Sequence, residues 1–159
     1  MAGSYPLTPI QGFSVATGRW YFLTLTYNAG TSTEHFYIDN ISQGISSGAA
    51  SIIPTTGISY LVHLGGQAGE GGCYPEPSGN WQSMDGELSN VQFYNTTLSS
   101  NNIKALYDEG IGGAPIDIPY LIGWWPLNGN ANDYSGNGNN GVPTGVTFTS
   151  NWENGYTTP

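Results

Sequence analysis

The sequence predicts an all-β fold carrying one short helix, and three observations lead there. Runs such as GRWYFLTLTYN and ISYLVHLGG are rich in aromatic and β-branched residues, the side chains that suit a pleated, half-buried surface. Gly, Pro, Asn and Ser punctuate the runs, with 24 glycines and 10 prolines in 159 residues, as a fold of many turns requires. A single stretch, SSNNIKALYDEG, repeats its apolar residues at helical spacing. The length is that of about one domain, enough to bury a single core.

Taken in order, residues 18 to 28, GRWYFLTLTYN, form the first strand, apolar on both alternating faces and so expected at the centre of a sheet. After the turn Asn28-Ala29-Gly30, STEHFYIDN supplies an antiparallel neighbour, with Phe36 and Ile38 on one face and His35 and Tyr37 on the other. Residues 41 to 57 are rich in Ser, Gly and Ala, with Pro54, and ISYLVHLGG follows as a strand. His63 falls opposite its apolar face, without a second His or Cys at ligand spacing. Residues 65 to 86 form a loop too long for a simple connector, and ELSNVQFYN is a strand with Val91 and Phe93 inward. The helix runs from 99 to 110, capped by Ser99 or Ser100 and ended by Gly110, with Ile103, Leu106 and Tyr107 on one face. IGGAPIDIP reads as a linker, a new apolar strand starts at Tyr120, and the boundary falls near residue 118.

Charge narrows the function classes. Arg19 and Lys104 are the only full cations against 11 carboxylates, a formal net charge of -9. Nucleic acid and anionic membrane surfaces both require clustered Lys and Arg, so neither is an expected partner. No apolar run approaches the roughly 18 residues of a spanning helix, so membrane insertion is not expected of this segment. With 8% charged residues, the surface must be hydrated by hydroxyls and amides, which suits an extracellular setting. Cys73 is the only cysteine and pairs with nothing in the chain; an inert thiol and an intermolecular link both stand. Asn40-Ile41-Ser42 and Asn95-Thr96-Thr97 are acceptor sequons at expected strand ends. Residues 1 to 15 lack the basic start and apolar stretch of a signal peptide.

Candidate site residues fall in two groups. Tyr74 and Trp81 in the long loop, with Trp152 and Tyr156, could stack on sugar rings, although such rings also serve to plug a loop onto a core. The run from Asn128 to Gly141 concentrates oxygens: Asn130, Asn132, Asp133 and Ser135 are candidate calcium ligands, beside Asn128 and Asn137. Calcium takes about six to eight oxygens and tight sites use several carboxylates, whereas Asp133 is the one carboxylate here. A plain Asx-turn loop is the other reading.

GRWYFLTLTYN with HFYIDN, and later DGELSNVQFYNTTLSSNNIKALYDEG, resembles the second half of a LamG-like, concanavalin A-like jelly roll. LIGWWPLNGNANDYSGNGNNGVPTGVTFT is similar to that family's first half, an apolar Trp-bearing strand leading into an Asp-x-Ser-Gly turn. The likeness covers most of residues 13 to 150 and implies an antiparallel jelly-roll sandwich. The halves stand in reverse order. Residues 1 to 118 then hold strands of the second half, and 119 to 159 the start of a module, packing on the first part or on a neighbouring subunit. The chain is thus either permuted or completed by another copy. Completion by a copy would add strands between subunits and build a filament. The resemblance also implies a structural Ca²⁺ near Asp133-Tyr134-Ser135-Gly136, although Glu87, Ser89 and Asn90 in DGELSN are less acidic than the usual pattern.

Catalysis is not expected. Retaining glycoside hydrolysis needs two carboxyls about 5 Å apart, and Asp85 with Glu87 is the nearest approach to a paired-acid strand. The sequence reading is therefore a non-catalytic extracellular or cell-surface adhesion module that associates with copies of itself. The alternative is a carbohydrate-binding, lectin-like module.

Overall fold

The computed structural model describes residues 14–47, 64–65 and 84–149. The chain forms two units, residues 1–52 with 89–159, and residues 53–88. In the smaller unit the Met84 N–H donates to the Gly65 carbonyl at 2.9 Å.

The larger unit contains a three-stranded antiparallel sheet, β1 (Leu23–Asn28), β2 (Thr33–Ile38) and β3 (Ile41–Ser47), in that order. The expected hairpin is present: Leu23 faces Ile38 and Leu25 faces Phe36, while Asn28 at the turn accepts the Gly30 N–H through Oδ1 at 2.9 Å. Phe36 and Ile38 do lie on the face opposite His35 and Tyr37, as alternation requires. Asp39 closes the far end, accepting the Phe22 N–H at 2.9 Å and pairing with Arg19.

Two expectations need correction. The first strand was expected at the sheet centre; among the described residues β1 is an edge, and Leu23 and Leu25 are 61% and 60% exposed. An apolar strand reads as central because propensity reports side chains, whereas position in the sheet depends on which backbone edges find partners. Residues 41 to 47, in the Ser-, Gly- and Ala-rich stretch to which the sequence assigns no strand, form β3. The β2 ladder dictates that strand, with a bulge where Phe36 faces Gly44 and Tyr37 faces Ser42.

A second sheet pairs β4 (Val91–Tyr94) with β5 (Leu121–Trp125), antiparallel, Val91 opposite Trp125. Between them runs α1 (Ser100–Glu109). Ser99 caps it by accepting the Asn102 N–H, and the Gly110 N–H closes on the Tyr107 carbonyl at 3.1 Å. Ile103 and Leu106 are its buried face, and Tyr107 meets Phe22 with ring centroids 5.8 Å apart. Thr97 donates to the Tyr27 carbonyl at 2.7 Å, tying the approach to α1 onto β1.

Candidate functional site

The site begins with an asparagine. Asn90, just before β4, adopts a left-handed backbone with φ of 51°, a conformation its short polar side chain tolerates. Its N–H donates to the Pro126 carbonyl at 3.1 Å. Its Oδ1 accepts the Trp124 Nε1–H at 2.8 Å and the Gln92 amide at 3.1 Å, and its Nδ2 donates to the Gly113 carbonyl at 2.9 Å. Gln92 in turn accepts the Tyr94 hydroxyl at 2.7 Å. Asn90, Gln92 and Tyr94 thus form a polar line at alternate positions, and its upper end fixes the indole of Trp124. Period-two amides in a strand are a signal that the sequence reading passed over.

The second component is the Asn/Gly loop after β5. Asp133 Oδ1 accepts the backbone N–H of Trp124 and that of Ser135, each at 2.9 Å, and its Oδ2 accepts the Asn139 N–H at 2.9 Å. Tyr134 N–H donates to the Trp124 carbonyl at 2.8 Å. Farther along, Asn137 and Asn139 donate side-chain N–H groups to the Leu121 and Ile122 carbonyls at 3.1 and 2.8 Å, and the Trp125 indole N–H donates to the Asn139 carbonyl at 2.9 Å. An edge strand offers a row of unpaired N–H and C=O groups. Here the loop covers that row with side-chain amides and a carboxylate, which explains a segment so rich in Asn.

Burial works to raise the Asp133 pKa, but it is outweighed by the N–H groups of Trp124, Ser135 and Asn139 and by the Ser135 side chain, leaving it at about 2. A depressed carboxylate pKa contributes stability that is complete above its unfolded value and lost as pH falls through the folded one. The loop is therefore expected to hold at pH 4 and to loosen as pH approaches 2. After allowance for solvent screening the contribution is on the order of 1 kcal/mol. Thermal melts of wild type and Asp133→Asn between pH 5 and pH 2 should converge at the acid end; a gap independent of pH would contradict this account.

Between the two components lies an open cleft of about 340 Å³. Trp124 and Tyr134 form its aromatic wall, centroids 6.1 Å apart and planes at 65°, while Ser89, Pro126 and Asn128 line the rest beside Ile111. Tyr134 is 52% exposed. Its hydroxyl accepts the Asn130 side-chain N–H at 3.2 Å, leaving its own hydrogen for a ligand. The Asn128 amide is exposed at the rim. Among the described residues, no Asp, Glu, Lys, Arg or His lines the cleft; Arg19 pairs with Asp39, and Lys104 with Asp108 at 2.5 Å.

The expected site residues distribute unevenly. Tyr74, Trp81, Trp152 and Tyr156 lie outside the described residues, as do Cys73 and His63. Asp85 and Glu87 are exposed in the smaller unit. Asn130, Asn132, Asp133 and Ser135 share one loop, and the oxygens of three of them already serve it: Asn130 Oδ1 accepts the Asn132 N–H at 2.8 Å, Ser135 Oγ accepts the Asn137 side-chain N–H at 3.1 Å and Asp133 accepts three backbone N–H groups. A carboxylate has about four acceptor positions, and those of Asp133 are met by three backbone N–H groups and Ser135. This donor set does not fit a Ca²⁺ site as it stands, and no group of three or more His, Cys, Asp or Glu gathers among the described residues. Of the sequons, Asn95 is exposed after β4 and Asn40 is half-buried in the β2–β3 turn.

A family model described as the concanavalin A-like lectin/glucanases superfamily matches residues 2–104. The chain belongs to this superfamily. Comparison with curated proteins and with solved structures found no match. Concanavalin A-like modules of the laminin G kind are generally non-catalytic and often act as extracellular binding modules. The mostly β architecture, the antiparallel sheets and, among the described residues, one short α-helix agree with membership. The matched span ends within α1, so β5 and the Asn/Gly loop lie beyond it. Among the described residues no helix is long and apolar enough to cross a membrane.

Proposed function

We propose that the chain is a non-catalytic module of an extracellular, cell-surface assembly that binds a neutral glycan in the Trp124–Tyr134 cleft. One observation carries this: an exposed tyrosine ring angled against a fixed tryptophan, with an amide at the rim and, among the described residues, no charged side chain lining the cleft. Aromatic faces take the C–H surface of a pyranose, and amides or hydroxyls exchange hydrogen bonds with its OH groups. Membership of a superfamily that includes lectins supports the reading, although fold alone assigns no ligand. On a panel of neutral polysaccharides, Tyr134→Ala and Asn128→Ala should each weaken binding by about tenfold or more, roughly 1.4 kcal/mol. Unchanged binding in both variants would remove the cleft from this role. N-linked sugars at Asn95, and less readily at Asn40, belong to the same surface setting.

A separate observation favours self-association as a second activity. Leu23, Ile38 and Ile41 stand in one row across β1, β2 and β3; Ile38 in the middle is buried, while Leu23 and Ile41 on either side are 61% and 66% exposed. Leu25, Phe36 and Gly44 form the next row of the same face, Leu25 60% exposed and Gly44 with open space where a Cβ would stand. An apolar sheet face of this kind is a recognised association surface. Light scattering over a concentration series should give growing particle mass that Leu25→Glu reverses; a monodisperse monomer throughout would end the filament reading.

A further inference from the structure

We infer that Asp133 is the positioning residue of the cleft, clasping the Asn/Gly loop to β5 so that Tyr134 is held against Trp124 without any bound cation. The inference rests on the cleft being the binding site. Consecutive residues of the loop grip both backbone groups of one residue of the strand: Asp133 takes the Trp124 N–H at 2.9 Å and Tyr134 gives its N–H to the Trp124 carbonyl at 2.8 Å. The Tyr134 ring therefore leaves from a backbone anchored on the residue that bears the opposing indole. Asp133 Oδ2 then reaches the Asn139 N–H, six residues on, and its own N–H donates to Asn140 Oδ1 at 2.9 Å. That closes the loop upon itself and places Asn139 to receive the Trp125 indole and to donate to Ile122.

Removal of the carboxylate would strand the N–H groups of Trp124, Ser135 and Asn139 together. Charge-assisted N–H···O⁻ bonds are about twice as strong as neutral ones, and several converging on one carboxylate act as a unit. Such a carboxylate does here what an oxygen-seeking ion does in other loops, drawing separated segments to one point. The difference is that its acceptor positions are filled from within the chain. Cation dependence would require some of those N–H bonds to be given up.

The full chain with Asp133→Ala and Asp133→Asn tests this. Two readouts are needed, the near-ultraviolet circular dichroism of the aromatic pair and retention on neutral polysaccharides, each with EDTA and with millimolar Ca²⁺. Asp133→Ala should lose the aromatic signal and about tenfold in retention while keeping its far-ultraviolet spectrum. Asp133→Asn retains one acceptor oxygen for Trp124 and Ser135 and should restore most of both. Wild type should respond to neither EDTA nor Ca²⁺. A rise in retention or melting temperature with Ca²⁺ would overturn the inference, as would an aromatic signal indifferent to Asp133→Ala. Should Asp133→Ala fail to fold, the response of wild type to EDTA and Ca²⁺ still decides, because a clasp whose acceptor positions are filled from within the chain leaves the aromatic signal and the melting temperature unchanged by either. Wild type binding none of the panel sinks the glycan reading, while the aromatic and Ca²⁺ responses still judge the clasp.

Discussion

Replacing Ile103 with alanine is expected to cost about 2–5 kcal/mol, the largest loss from any single side chain described in this chain. Ile103 is completely buried, the only large side chain among the described residues that is so, and it shares the inner face of α1 with Leu106. The helix has ten residues, too short to persist in water on propensity alone, so its stability comes from this packed face. Deleting the three outer carbons loses their transfer free energy and leaves a cavity that the surrounding structure closes only partly. For a chain of this size the melting temperature should fall by roughly 5–15 °C. A fall within about 2 °C, under 1 kcal/mol, would mean that the helix face is not packed as described. Lys104→Ala is the useful contrast. Its i,i+4 pair with Asp108 is exposed on both sides, and exposed pairs of this type contribute roughly 0.3–0.5 kcal/mol.

Gly113→Ala is the second large effect, and it connects stability to the site. A Cβ at this buried position would lie 2.4 Å from Glu109 Cβ, 3.1 Å from the Gly110 carbonyl oxygen and 3.2 Å from the Glu109 carbonyl carbon. Those atoms belong to the end of α1 and cannot swing aside, so the backbone itself must move, at about 1–3 kcal/mol. The cost should reach the cleft. Gly113 donates to the Gly110 carbonyl at 3.0 Å and accepts the Asn90 amide at 2.9 Å, and Asn90 holds the Trp124 indole. Binding by Gly113→Ala should therefore weaken along with its melting temperature. Gly123 is a softer case: an added Cβ would meet atoms of the Trp125 ring at 2.2 and 2.5 Å, and a ring can turn, at the expense of its bond to Asn139 and its edge contact with Phe93. A Gly113→Ala protein with wild-type melting and binding would show that the turn after α1 has room to relax.

These expectations place the candidate site at one edge of a small sheet, where the sequence supplies hydrogen bonds in place of another strand. Such an arrangement explains the composition of residues 128 to 141. Gly136 and Gly138 have φ of 91° and 75°, allowing the chain to fold tightly enough for Asn137 and Asn139 to reach the β5 carbonyls. The asparagines are the donors those carbonyls lack. One carboxylate collects the N–H groups that remain.

Local chemistry was legible in the amino-acid sequence. Alternation set Phe36 and Ile38 against His35 and Tyr37, Asn28 and Gly30 marked the hairpin turn, and Ser99 with Gly110 delimited α1, because each of these signals acts within a few residues. The membership of the superfamily was also legible, from the strand and helix motifs of GRWYFLTLTYN, HFYIDN and DGELSNVQFYNTTLSSNNIKALYDEG. Tertiary structure alone decided the rest. That β1 is an edge among the described residues, and residues 41–47 a strand, follows from which backbone edges meet. Trp124 became a cleft wall through Asn90, 34 residues away, and Asp133 became a clasp because its oxygens face the N–H of Trp124, nine residues back. Propensity and periodicity describe what a residue prefers near itself, whereas an acceptor's role is fixed by whichever donors the fold brings within about 3 Å, and that is a property of the whole chain.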